Sequence, residues 1–179
     1  PRDWSSDVCS SDLTELLQVQ NADVLFAHTY RLGSLRIHQT LESYHASHST
    51  TRRLMETQIQ RVIDQILQQV PPGASQEMVV LGGDMRFAAQ QLIPDWNPGH
   101  LTPIPLSALE ELTDTVLSLN EDKLVHKYHI TFPDAGTLGP ALLAYVMLAH
   151  AFQLKKVIVS SINLRDGLLK RSEEHTSEL

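Results

Sequence analysis

Apolar and polar positions alternate loosely from Thr14 to Gln20, and strand-forming residues crowd Val24 to Tyr30 with the turn-like QNAD between them. The pattern predicts a β-hairpin that ends at Gly33. SLRIHQTLESY then reads as a short helix and HASHSTT as a loop in which Ser49 and Thr50 can cap the next helix. Beyond it Met55, Ile59, Val62, Ile63, Ile66, Leu67 and Val70 recur at intervals of three and four, the stripe of a long amphipathic helix stopped by Pro71-Pro72-Gly73.

The second half continues in the same way. Glu77 to Leu81 is a short apolar run that predicts a strand; Gly82-Gly83 interrupts it, and DMRFAAQQLI has helix-forming composition. IPDWNPGHLTPIP, with its prolines, reads as a loop, and LSALEELTDTVLSL and EDKLVHKYHI as two helices. Ala135 to Leu154 carries no charge and is long enough to cross a bilayer, but Gly139, Pro140, His150 and Gln153 within it fit a helix buried in a core, so no membrane partner is expected. KKVIVSS reads as a β-branched strand and NLRDGLLK as a terminal helical turn. This order predicts the α/β class, a mixed sheet flanked by helices, with no internal repeat.

Composition changes the picture at both ends. PRDWSSDVCSSDL has no apolar period, and RSEEHTSEL is equally polar. Codons that encode Arg171 to Leu179 have a reverse complement that, in a shifted frame, encodes Ser5 to Asp12 and begins a leucine codon. The same string resembles a sequencing-library adapter. Residues 1–13 and 171–179 are therefore expected to be adapter-derived, leaving 14–170 as one domain. Each end carries one arginine and three acidic residues, so the −7 of the whole chain falls to −3 for residues 14–170. The single cysteine, Cys9, lies in the first of these ends, which removes disulfides and cysteine-rich zinc sites from consideration. No basic stripe interleaves with aromatics, and no nucleic-acid partner is expected.

The candidate chemistry centres on VVLGGDMRFAA. Glycines at the end of a buried strand, opening directly into a helix, let backbone N–H groups approach an anion at the positive helix end, although a plain tight turn has the same signature. Arg86, one turn into the helix, can add a charge-assisted contact or simply lie in solvent. Asp84 is placed to cap the helix. His45 with His48, and His126 with His129, have a spacing that can put two imidazoles on one helical face, but neither pair has a third ligand, and both read as surface histidines. Arg165 and Asp166 read as a lock on the terminal helix.

Taken in order, TELLQVQNADVLFAHTYRLGSLRI, VVLGGDMRFAA, LTPIPLSALEEL, PDAGTLGPALLAYVMLAHAF and VIVSSINLRDGLL resemble the exopolyphosphatase and guanosine pentaphosphate phosphohydrolase family, Ppx/GppA, over nearly all of residues 14–170. Leu32-Gly33, Gly82-Gly83 and Leu164 to Gly167 carry the resemblance. It implies the second lobe of an actin-like, ribonuclease H-like fold of the ATPase type, truncated before its central strand, because the family's Asp-x-Gly-Gly-Gly-Ser-Thr-Glu loop survives here only as Thr14-Glu15. The loss leaves unpaired strand edges and predicts an aggregation-prone chain.

The resemblance further implies Mg2+-assisted attack of water on a phosphoanhydride, in inorganic polyphosphate or guanosine pentaphosphate. Glu15 is then the expected catalytic residue and Mg2+ ligand, and Thr14, Gly82, Gly83, Asp84 and Arg86 the phosphate-binding set. Asp84 stands where the family commonly has threonine, and its charge repels phosphate unless a cation intervenes. A cytoplasmic parent is expected, with homodimerisation left open; the chain alone is expected to be inactive. The alternative is a non-catalytic actin-like module that senses phosphate or an alarmone.

Overall fold

The computed structural model describes residues 13–21, 23–35, 37, 48–73 and 76–161. The hairpin forms as its alternation predicts: β1 (Thr14–Gln20) pairs antiparallel with β2 (Asp23–Tyr30), Thr14 opposite Tyr30, with a bulge between Gln18 and Val19. Asn21 takes the left-handed turn position with φ 52°. One face of the hairpin turns Leu16, Phe26 and Tyr30 into the protein, while Leu17, Val19, Val24 and Leu25 stay exposed.

Of the first predicted helix, Ser34, Leu35 and Ile37 are helical and the rest lies outside the described residues. Helix α1 (His48–Gln69) already runs at His48, so Ser49 and Thr50 belong to its first turn and are not caps. Its stripe is as the spacing predicts: Met55, Ile59, Ile63, Ile66 and Val70 are buried. Arg52, bonded to Glu56, reaches Asp114 at 2.8 Å, an exposed pair that adds little stability.

A second sheet has the order β3-β5-β4. Strand β3 (Val79–Val80) is shorter than the five-residue run suggested. It is followed by α2 (Gly83–Leu92), then by β4 (Thr102–Pro105), α3 (Leu106–Ser118), α4 (Glu121–Tyr128), α5 (Phe132–Ala151) and β5 (Lys156–Val159). β3 runs parallel and β4 antiparallel to the central β5, so the sheet is mixed. β4 corrects the loop expected there. Its two prolines lack donors, but on an edge strand the N–H of alternate residues faces outward and is not needed. Ile104 between them is fully buried opposite Val157.

Helix α5 organises the whole. Leu138, Leu142, Val146 and Ala149 face a cluster that contains Val80, Met85, Ile104, Leu109, Val157 and Val159. Leu143, Leu148 and the following Phe152 face the other cluster, with Tyr30 and the stripe of α1. This is why the helix is apolar all round: both of its sides are packed. Thr131 caps it by accepting from the Asp134 N–H at 3.3 Å, while Asp134 Oδ2 accepts from the Thr131 hydroxyl at 2.6 Å. Gly139 lets α3 come close; a Cβ there would lie 2.8 Å from Leu117. Among the described residues the hairpin and the three-stranded sheet share no ladder, and β1 and β3 each have one side on which no described strand pairs.

Candidate functional site

The turn from β3 into α2 has an unusual backbone. Gly82 occupies the N-cap position with φ 131° and ψ 162°, a region open in practice only to glycine. Alanine at Gly82 should lower stability by about 1–3 kcal/mol, against a much smaller loss for alanine at Gly83, which has ordinary φ. Denaturant titration of the two variants checks the difference.

The same conformation displaces Asp84. Only glycine fits the cap, so Asp84 is carried into the first turn and does not cap α2; Gly82 supplies no side-chain bond either. There Asp84 is half-buried, and burial is the main reason its carboxyl titrates at about 6 instead of 3.8. The charge of Asp134 raises it further; a backbone hydrogen bond and Arg86 act in the opposite direction.

Two side chains flank the glycines. A Cβ added to Gly83 would lie 3.9 Å from Arg86 Nη2, so the guanidinium folds back over the turn from which it arises. A Cβ on Gly82 would lie 3.5 Å from Tyr145 Oη, and that hydroxyl donates to the Leu81 carbonyl at 3.0 Å. Burial, assisted by the charge of Asp84, pushes the Tyr145 hydroxyl up to about 12, so it is a donor throughout the working range. Neither Tyr145 nor Asp134 was singled out by the sequence. The available signal was a lone phenol in the uncharged run Ala135 to Leu154.

Gly82, Gly83, Asp84 and Arg86 thus come together, but Thr14 and Glu15 belong to the hairpin. The Thr14 hydroxyl donates to the Leu32 carbonyl, and Glu15 is exposed opposite Thr29. Among the described residues no hydrogen bond or ion pair joins either to the glycine turn. Glu15 is a hard oxygen donor of the kind Mg2+ takes alongside substrate phosphates. No group of three or more His, Cys, Asp or Glu able to hold a metal ion is found among the described residues. His129 follows α4 in a left-handed conformation, φ 55°, which takes it off the helical face of His126. His45, Arg165 and Asp166 lie outside the described residues.

A mixed sheet whose strand ends in glycines at a helix start, covered by an all-round apolar helix, is an α/β lobe, and its fold is found in solved structures. The chain is similar to the Aquifex aeolicus member of the Ppx/GppA protein family, with TM-score 0.79 and 14% identity over 93% of this chain and 55% of that one. It is similar also to an exopolyphosphatase from Cytophaga hutchinsonii, with TM-score 0.74 and 14% identity over 92% and 55%, respectively. An exopolyphosphatase-like protein gives TM-score 0.79 and 13% identity over 93% and 58%. The chain therefore spans little more than half the length of these structures, and at such identities the shared property is the fold. No protein-family pattern and no curated protein matches the sequence.

Proposed function

We propose that this chain is part of a phosphoanhydride hydrolase and supplies a phosphate-binding turn. The observation that carries the reading is Gly82-Gly83 at the start of α2 with the Arg86 guanidinium folded over it. Backbone donors and a cation together suit the equatorial oxygens of a phosphoryl group, and such chemistry asks little of a protein beyond placement and charge neutralisation. Inorganic polyphosphate and guanosine pentaphosphate are the two candidate substrates. Glu15 would orient the attacking water and hold Mg2+ jointly with the phosphates; the ion's contribution is to neutralise charge on the transferred group.

Polyphosphate binding followed by calorimetry tests the reading. Arg86→Gln should weaken binding about 10- to 100-fold, the equivalent of one charge-assisted hydrogen bond. Equal affinity in the variant, or none in the parent chain, would overturn it. Asp84 favours a second reading, a non-catalytic phosphate or alarmone sensor, because its carboxylate sits in the turn itself. Binding that requires Mg2+ supports the hydrolase, and binding indifferent to Mg2+ the sensor.

A further inference from the structure

We propose that Tyr145 is the positioning residue of the glycine turn, holding the Leu81 carbonyl toward α5 and thereby aiming the Gly82 N–H at the ligand. The assignment rests on the phosphate-binding reading above. It begins from peptide geometry: in a trans peptide the C=O and the following N–H point in opposite directions, and this chain has no cis bond among its described residues. The Tyr145 hydroxyl takes the Leu81 carbonyl at 3.0 Å, from an element far away in sequence. The Gly82 N–H must then point away from α5. Among the described residues neither the Gly82 nor the Gly83 N–H meets an acceptor, while the Gly82 carbonyl accepts from the Arg86 N–H at 3.2 Å as the first bond of α2.

The turn is otherwise weakly determined. Gly82 has the widest conformational freedom of any residue type, and no side chain caps α2. One hydroxyl bond from α5 therefore decides which way the peptide faces. The tyrosine ring packs on the cluster shared by α5 and the β3-β5-β4 sheet, so the hydroxyl is held by the core and not by the turn it orients. Phosphate binding is in this way tied to the seating of α5.

Tyr145→Phe in the full chain keeps the ring and removes only the bond. Three readouts separate orientation from packing: the amide nitrogen and proton shifts of Gly82 and Gly83, the carbonyl carbon shift of Leu81, and calorimetric affinity for inorganic polyphosphate. The variant should keep the parent's near-ultraviolet circular dichroism, shift the Leu81 carbonyl signal and the two glycine amide signals, and bind polyphosphate about three- to tenfold more weakly. An unchanged Leu81 signal with unchanged glycine amide signals would overturn the positioning role whatever happens to binding. A parent chain that ignores polyphosphate, with both turn signals still shifted in the variant, would overturn the phosphate reading and leave the orientation of the turn standing. Should the phenylalanine variant fail to fold, the parent's Tyr145 hydroxyl proton decides the matter: a slowly exchanging hydroxyl signal with a nuclear Overhauser contact to Gly82 supports the bond, and a hydroxyl that exchanges with water at the free rate overturns it.

Discussion

Alanine in place of Leu142 should lower the unfolding free energy by about 3–4 kcal/mol, the cost of a fully buried leucine whose surroundings cannot close over the void. Leu142 has no exposed surface and faces the cluster formed by β3, β4, β5, α2 and α3. Its neighbour Leu143 points to the other cluster, against α1 and the hairpin. Because both leucines stand on one rigid helix, the two clusters should melt together. Trp96 packs on the first cluster and, once Trp4 is replaced by phenylalanine, serves as its fluorescence probe. Leu143→Ala should therefore move the Trp96 transition nearly as far as Leu142→Ala does. If Leu143→Ala leaves that transition in place, α5 does not couple the two halves.

Asp84→Asn should raise stability at neutral pH and leave it unchanged in acid. A carboxyl whose folded pKa is raised favours the protonated form, so the unfolded chain loses its proton first. The folded state is then progressively disfavoured as pH rises from 3.8 to about 6, and the penalty is complete above that. A shift of about two units corresponds to about 3 kcal/mol. The favourable placement of a carboxylate near a helix N-terminus offsets about 0.3–1 kcal/mol of what the asparagine gains, so a net gain of about 2 kcal/mol is expected at pH 7.5 and none below pH 4. Denaturant titrations of both proteins across this range check it; parallel profiles would show that Asp84 titrates normally. The asparagine should also strengthen polyphosphate binding in the absence of Mg2+, since it removes a charge that repels the ligand.

The two predictions meet at Tyr145 of α5, whose hydroxyl feels the charge of Asp84. Tyr145 stands one turn from Leu142 and Val146 flanks it, so the residue that touches the glycine turn is seated in the cluster that Leu142 fills. A loss of packing there is expected to be felt at the turn.

Much of this was legible from local pattern. The alternation of Thr14 to Gln20, the stripe of α1 and the apolar run of α5 each depend on the chain's own period, and each formed at or near the expected place, α5 starting three residues before the uncharged run and including Asp134, because burying an apolar stripe needs only some partner surface. The glycines and Arg86 were legible too, since strand, glycine and helix follow one another directly in sequence. Other features depended on partners distant in the chain. TPIP is a strand only because β5 offers an edge where proline's missing donor does no harm. Asp84 lost the cap because Gly82 alone tolerates φ 131°, and it acquired a raised pKa because the folded surroundings take it out of water. Tyr145 reached the turn across the fold. Period and turn chemistry are written residue by residue; burial and orientation are properties of what lies opposite, and those the tertiary structure alone decided.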